Sequence, residues 1–277
     1  NPDQVWILAR KPVTAAVSLV SSAVLEKVSP AHEPEGKESS AKPAPRSTNN
    51  NYPSYPAKMS NTCHKKIHYD ETLWIVMTTW NDTYNFKKSV QSIRNQKRAF
   101  SNIKHVVFED LTNNRLNRED FEDIIFIDNE YNIQKGAAYG KWQLFDVVRQ
   151  YSSPNDYVIV IDGDDVLSYD GVFQYIQHEL QLHKPWFAWG KINGKYSEQC
   201  GPLVGTTSNI RFAKWSICHP RIFSSHLLKT LKKEEFKRDS GEWLQKATDR
   251  PFIYSFIEQS GDDRILFLDE RPIYNYT

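Results

Sequence analysis

The chain has 277 residues, enough for one large domain or two small ones. Hydrophobic residues make up 39% and charged residues 25%, which is ordinary for a soluble globular protein. The 35 Lys and Arg residues are balanced by 34 Asp and Glu residues, so the sequence lacks the basic excess of a general nucleic-acid-binding protein and predicts no nucleic-acid partner.

Residues 30–60 are rich in Pro, Ser, Asn and charged residues, and they contain no Val, Ile or Leu. Such a stretch buries too little apolar area to offset the entropy of ordering, so we expect a disordered stem or linker. The sequence thus predicts an N-terminal segment, 1–68, that is largely disordered, and a single folded domain at 69–277. The apolar residues 13–28 are interrupted by Ser and Thr and fit a targeting segment or a short helix rather than a membrane span.

Within the folded domain, short apolar runs alternate with helical patterns. Continuous apolar runs are typical of strands buried on both faces, and apolar residues three or four apart are typical of amphipathic helices. The first half contains predicted strands at 73–77, 103–108, 124–127 and 157–161, and predicted helices at 85–96, 136–150 and 169–183. This order predicts an α/β fold with a mostly parallel sheet and right-handed crossovers.

The pattern is less regular from residue 184 onward. The predicted elements are strands at 186–190 and 264–268, helices at 224–237 and 248–259, and a loop or hairpin at 190–210. Three cysteines, Cys63, Cys200 and Cys218, form neither a disulfide framework nor a zinc-binding pattern, so a single disulfide stays open.

Polar and acidic residues follow the carboxyl ends of the predicted strands, the edge at which open parallel sheets bind ligands. These ends read Thr78-Thr79-Trp80-Asn81-Asp82, Glu109-Asp110 and Asp162-Gly163-Asp164-Asp165. The sequence therefore predicts a ligand site at this edge.

The last of these ends, residues 162–165, carries three carboxylates that repel one another. A hard cation would relieve the repulsion: Asp162 and Asp164 could both present oxygens to one Mg²⁺, and a diphosphate would fill its remaining positions. The alternative is an acidic turn in which Asp165 caps the next helix. An EF-hand is excluded, because Val166 stands at its fifth position and no Gly follows.

From about residue 73 to its end, the chain resembles the family-2 glycosyltransferases of GT-A fold. The similarity is strongest in the first-strand turn, the following helix with its Ser-Ile-x-x-Gln ending, the second-strand end and the Asp-x-Asp-Asp loop, at residues 78–81, 86–96, 108–112 and 162–165. Weaker similarities are Thr248-Asp249-Arg250, which is similar to the late acidic motif of that family, and the Tyr-rich tail at 264–276. The chain departs from the family where the first turn lacks its Pro and where Glu109 and Leu111 replace Asp and Gly.

The resemblance implies a Rossmann-like GT-A fold, with a mostly parallel sheet flanked by helices in a single catalytic domain. It implies a metal-dependent glycosyltransferase, specifically a hexosyltransferase, that uses Mn²⁺ or Mg²⁺. The donor would be a UDP- or GDP-linked sugar, and the acceptor a hydroxyl of a glycan, protein or lipid, with inversion at the anomeric carbon.

The resemblance also implies roles for particular residues. Contacts with the nucleotide-sugar fall to Thr79, Glu109, Asp110, Lys135 and Asp162. Asp162 and Asp164 would hold the metal, Asp249 would act as general base, and Trp215 and His219 would lie on the acceptor side. The plainer interpretations are a solvated loop for Lys135, a helix N-terminal residue for Asp249 and a packed core histidine for His219.

Two alternative functions stay open. A nucleotidyltransferase that makes nucleotide-sugars should carry a Gly-rich, basic loop after the first strand, and residues 78–84 contain neither Gly nor a basic residue. A non-catalytic sugar-binding GT-A relic is disfavoured because Asp162, Asp164 and Asp249 are all intact. The stem would suit a domain tethered to a membrane, as in the secretory pathway, through residues upstream of the chain; otherwise the protein is expected in the cytoplasm.

Overall fold

A computed structural model describes residues 71–97, 99–110, 115–129 and 134–276. The predicted stem, 1–68, lies outside the described residues and stays a prediction. None of the helices in the described ranges combines the length and the apolar character needed to cross a membrane.

The secondary structure follows the α/β order expected from the sequence. The strands are β1 (Thr72–Thr79), β2 (Asn102–Glu109), β3 (Ile124–Asp128), β4 (Tyr157–Asp162), β5 (Val166–Leu167), β6 (Phe187–Gly190), β7 (Ile192–Asn193), β8 (Arg221–Ser224), β9 (Ile265–Leu268) and β10 (Tyr274–Asn275). The helices are α1 (Thr83–Arg94), α2 (Ala137–Tyr151), α3 (Val172–His183) and α4 (Arg250–Ser260).

Seven of these strands form the main sheet, in the order β3-β2-β1-β4-β8-β6-β9. Only β8 runs against its neighbours in this sheet, so the prediction of a mostly parallel sheet is confirmed. A small second sheet joins β5, β10 and β7. It ties the end of the described chain to the loop that follows β4.

The central strand β1 explains why helices cover both faces of the sheet. Its alternate side chains point to opposite faces. Leu73, Ile75 and Met77 join the core cluster that includes buried residues of α1 and α3. Trp74 and Val76 join the cluster that includes residues of α2 and α4. All five are at most 2% exposed, so an uninterrupted apolar run is what this position requires.

The prediction of a helix at residues 224–237 is wrong. The segment instead forms two short 3-10 turns, Ser225–Lys229 and Lys233–Phe236, that pack against α2. The Thr230 hydroxyl donates to the backbone carbonyl of Leu227, a local bond that competes with helical pairing. Buried contacts of Leu227 and other apolar side chains against α2 override the local helical pattern.

Strand β8, which the sequence analysis missed, precedes these turns. It has only four residues and begins with the charged Arg221, so it lacks the continuous apolar run that marks the other central strands.

Candidate functional site

A cavity of about 290 Å³ opens at the carboxyl ends of β1, β2 and β4. Thr79, Asp110 and Asp164 line it together, although they come from three separate parts of the sequence. Trp80 also lines the cavity, and 54% of this side chain is exposed. The ligand edge expected from the strand ends is thus a real concavity with a polar wall and an accessible indole ring.

Asp110 organises the loop on one side of this cavity. Its carboxylate accepts hydrogen bonds from the backbone N–H groups of Lys135 (3.2 Å) and Gly136 (2.7 Å), and from the Asn129 amide (2.7 Å). The carboxylate therefore holds the entrance of α2 beside the ends of β1 and β2. A contact between Asp110 and a nucleobase stays a prediction.

Two other residues predicted to bind the nucleotide-sugar lie less directly in the cavity. Glu109 is 6% exposed, accepts a hydrogen bond from the Leu116 N–H at 2.8 Å and lies 3.6 Å from Arg118. These contacts tie the end of β2 to Leu116 and Arg118, and Glu109 does not line the cavity. Lys135 is half-buried and follows the cavity-lining Gln134, so its contact with a phosphate stays a prediction.

Tyr274 fixes the acidic loop from the small sheet. Its buried hydroxyl accepts the backbone N–H of Asp162 at 2.9 Å and is hydrogen-bonded to Asp165. Burial and the nearby Asp162 and Asp165 raise the pKa of Tyr274 well above its ordinary value, so the phenol keeps its proton as a donor. The side chain of Asp165, 1% exposed, thus serves the loop's structure and leaves Asp162 and Asp164 as candidate ligands.

Gly163 allows the acidic loop to lie against β1. A Cβ atom at this position would stand 2.7 Å from the Thr78 carbonyl oxygen and 3.0 Å from the Thr79 Cβ, and backbone atoms of a central strand cannot move aside cheaply. We expect Gly163→Ala to lower the free energy of unfolding by about 1–3 kcal/mol, as overpacking does in well-packed cores. Chemical denaturation measures this effect.

Gly201→Ala is the matched control, because no atom lies within 4 Å of the Cβ it would add. This variant should be as stable as the wild type or slightly more stable. Equal stabilities of the Gly163→Ala and Gly201→Ala variants would contradict the close approach.

The charged form of Asp164 is disfavoured in the acidic loop. Partial burial and the neighbouring charges of Asp162 and Asp82 raise the pKa of its carboxyl group. A divalent cation would remove this penalty, and Mg²⁺ or Mn²⁺ needs only one or two protein carboxylates when phosphate oxygens and water complete its shell. Among the residues the structure describes, no cluster of three or more His, Cys, Asp and Glu side chains forms a metal site by itself. Asp162 and Asp164 therefore fit a cation shared with a ligand.

A buried charged cluster lies beside the acidic loop and contains Asp249. The Asp249 carboxylate pairs with the Lys141 ammonium, and its other oxygen lies 2.8 Å from Arg221 Nη1. Lys141 also lies 3.8 Å from Asp162, so it links the two carboxylates. Burial opposes the charge on Asp249, but Arg221, Lys141 and His219 outweigh it and hold the pKa of Asp249 well below its usual range. With these partners Asp249 is ionised but weakly basic.

His219 belongs to the same cluster. Its Nε2 atom lies 3.2 Å from Asp162 and 3.9 Å from Asp249, and its ring stacks on Tyr274 at 5.3 Å between centroids. Burial, reinforced by the charge of Arg221, lowers the pKa of His219 to about 4, so the imidazole is neutral near pH 7. The same Nε2 atom accepts a hydrogen bond from the Arg221 guanidinium, as a neutral imidazole can. The structure thus places His219 with the acidic loop.

Trp215, predicted on the acceptor side with His219, lies in a different environment. Its ring packs edge-to-face on Tyr254 at 5.8 Å and under the Arg250 guanidinium at 5.3 Å. A disulfide between Cys200 and Cys218 closes the loop that carries Trp215. The disulfide that the sequence left open therefore anchors this loop directly before His219.

The sequence analysis missed Lys141, Arg221 and Tyr274 as parts of the site. Lys141 did carry a signal: it occupies the buried face of α2, in register with Ala138, Leu144 and Phe145, where an apolar residue is expected. A lysine on an apolar stripe calls for a buried carboxylate partner. Tyr274 belongs to the Tyr-rich tail that resembles the family, and Arg221 follows His219 by two residues, but neither pattern indicated a contact with an acidic residue.

Neither a protein-family model nor a curated protein sequence matches this chain. Solved structures do share its fold. TarS of S. aureus (its residues 1–349) aligns with a TM-score of 0.55 at 16% identity, over 74% of this chain and 60% of that one. The same protein in complex with UDP-GlcNAc gives a TM-score of 0.57 at 16% identity, over 74% and 58% of the two chains.

A third solved structure is glucosyl-3-phosphoglycerate synthase from Mycobacterium tuberculosis in complex with Mn²⁺, UDP and phosphoglyceric acid. It aligns with a TM-score of 0.53 at 12% identity, over 75% of this chain and 71% of that one. The present chain matches only about three fifths of the length of the TarS fragment. Together with the strand order and helices on both faces, these likenesses show that the described part of the chain has the GT-A glycosyltransferase fold.

Proposed function

We propose that this protein is a metal-dependent glycosyltransferase that moves a hexosyl group from a UDP- or GDP-linked donor to a hydroxyl acceptor, with inversion. One observation carries the proposal: Asp164 faces the cavity with Thr79 and Asp110, and the adjoining Asp162 is joined through Lys141 to Asp249. The residues expected to bind the donor and the candidate base thus lie side by side at the ligand edge of the sheet.

The cavity fits a nucleoside diphosphate. Thr79 and Asp110 offer polar contacts at its inner wall, and the exposed Trp80 ring offers a face on which a base can stack. The solved structures of TarS with UDP-GlcNAc and of the M. tuberculosis synthase with UDP and Mn²⁺ support this class of donor for the fold.

Asp162 and Asp164 would hold the cation, with phosphate oxygens and water completing its shell. When bound, Mn²⁺ or Mg²⁺ offsets the charge that develops on the leaving diphosphate. The charges in the site support this proposal. Asp162 and Asp164 repel each other, and Lys141, which lies 3.8 Å from Asp162, is already paired with Asp249.

Asp249 is the base in this proposal. It takes the proton of the acceptor hydroxyl while that oxygen bonds to the anomeric carbon, and the bond to the nucleoside diphosphate breaks. Lys141 and Arg221 hold the pKa of Asp249 below its usual range, so Asp249 is a weak base while both cations are paired to it. The diphosphate of the donor is a competing anion for the same cations, and sharing them would raise the basicity of Asp249.

A donor panel tests the proposal. The protein is incubated with UDP- and GDP-linked hexoses plus Mn²⁺, Mg²⁺ or a chelator, and the released nucleoside diphosphate is measured. We expect slow release with at least one donor in the presence of metal, and none with chelator. No release and no metal-dependent thermal shift with any donor would refute the enzyme assignment.

A further inference from the structure

A second groove, of about 350 Å³, lies along the outer face of α4. Ala247, Pro251 and Tyr254 contribute its apolar surface, and Lys246 and Arg250 stand at its rim. None of these five residues was identified as part of a site by the sequence analysis. The groove thus combines an apolar, aromatic surface with cationic side chains.

The segment 243–250 separates this groove from the donor cavity. Gln245 faces the donor side: its Oε1 atom lies 3.2 Å from the position that a Cβ on Gly136 would take. Its neighbours Leu244 and Lys246 line the groove. Asp249 then faces the buried cluster, and the next residue, Arg250, faces the groove again. A ligand in the groove would therefore lie beside the segment that carries the candidate base.

Cationic side chains outnumber carboxylates in the groove, because Glu235 is the one acidic residue among its lining residues. Arg211 also lines it, but its guanidinium forms a bidentate pair with Glu258 at 2.5 and 2.9 Å. Lys246 and Arg250 have no carboxylate within 4.0 Å among the described residues. The Arg250 guanidinium lies over the Trp215 ring, which holds it in place without neutralising it.

We propose that this groove is the distal part of the acceptor subsite. It binds the portion of an acidic oligosaccharide that lies away from the reacting hydroxyl, and the carboxylate or sulfate groups of that portion pair with Lys246 and Arg250. The inference rests on the glycosyltransferase function proposed above. The Tyr254 ring is partly covered, because Trp215 packs on it and the Arg211 guanidinium lies 5.4 Å from its centroid. Pro251 and the rest of the Tyr254 ring present apolar surface to the sugar rings. The two cations select for the anionic substituents, with the Arg250 fork suited to bidentate contact.

Direct binding without donor tests this inference. Three fluorescent hexasaccharides of equal length serve as probes: one with uronate groups, one with sulfate groups and one neutral. Fluorescence anisotropy is measured with wild type, Lys246→Ala, Arg250→Ala and the double variant. A control double variant, Lys195→Ala with Lys229→Ala, removes the same charge from exposed positions outside the groove.

We expect one or both acidic probes to bind, and the neutral probe to bind at least about tenfold more weakly. Each single substitution should weaken acidic-probe binding by about threefold to fivefold, the upper range for a solvent-exposed ion pair, and the double variant by about tenfold. The control variant should change binding by less than about twofold. The difference between the uronate and sulfate probes identifies the preferred anionic group.

Acidic-probe binding that is unchanged in the Lys246→Ala, Arg250→Ala double variant would overturn the inference, and so would equal binding of the neutral probe. Donor turnover by the wild type is measured in parallel to separate the two proposals. Turnover without groove-dependent binding refutes the subsite alone. Groove-dependent binding without turnover on any donor supports the oligosaccharide site and refutes the glycosyltransferase function.

Discussion

Replacing Asp249 by Asn should abolish sugar transfer and also lower the free energy of unfolding by about 3–5 kcal/mol. The second effect arises because Lys141 and Arg221, 4% and 5% exposed, lose the carboxylate that compensates their burial. Removing one partner of a buried ion pair typically lowers the free energy of unfolding by about 3–5 kcal/mol. Urea denaturation measures the loss of stability, and nucleoside diphosphate release with acceptor present measures transfer.

The loss of folding stability in Asp249→Asn should depend on pH. The folded protein holds the pKa of Asp249 below its ordinary value of 3.8, so the carboxylate contributes full stability above about that pH. The contribution is lost as the pH falls from there toward the folded pKa. The stability deficit of Asp249→Asn should therefore be constant between about pH 5 and 8 and should shrink in stronger acid.

Asp120→Asn is a suitable control, because it breaks the solvent-exposed pair between Asp120 and Lys87. Such pairs contribute about 0–1 kcal/mol. If Asp249→Asn were no less stable than this control, the buried cluster would not have the charges assigned to it. Wild-type transfer by Asp249→Asn would exclude Asp249 as the base.

Replacing Asp164 by Asn should change both donor binding and stability. Asp164→Asn should weaken metal-dependent donor binding by more than about 100-fold, since losing even an outer-shell partner of a metal site costs about 10–100-fold. The ligand-free variant should be more stable than the wild type near pH 7. The reason is that the fold raises the pKa of Asp164, so the wild type loses stability as the pH rises and this carboxyl ionises.

The measurements are donor titration by calorimetry with Mn²⁺ and thermal unfolding without metal. Asp170→Asn, which changes an exposed carboxylate in the turn before α3, controls for the loss of one negative charge. It should leave both quantities close to wild type. Donor binding by Asp164→Asn at wild-type affinity with Mn²⁺ would remove Asp164 from the metal site. If ligand-free Asp164→Asn were less stable than the wild type, the proposed repulsion of Asp164 by Asp162 and Asp82 would be contradicted.

Local patterns determined much of the fold. The apolar run at the first strand is stable only as a strand buried on both faces. Such a strand requires helices on each side of the sheet. Residues 162–165 directly follow a predicted strand, so strand context alone is enough to predict that they lie at the ligand edge. These features depend on neighbours within a few residues, so periodicity and strand context were sufficient to predict them.

Tertiary packing reversed one local expectation and produced one strand that was not predicted. The segment 224–237 has helical spacing, yet it folds as turns because its apolar side chains pack against α2. Strand β8 has little strand character of its own and is stabilised by pairing with β4 and β6 on either side. In both cases, long-range burial outweighs the fractions of a kcal/mol per residue that propensity contributes.

The sequence by itself determined where the candidate residues lie along the chain: the acidic loop at one strand end, Asp110 at another and Asp249 at a helix start. Only the tertiary structure decided what each of them faces. Lys141 reaches Asp249 across 108 positions of sequence, and Tyr274 reaches the Asp162 backbone across 112. Such contacts depend on which elements the sheet order brings together, and they set the charge and the basicity of the acidic residues.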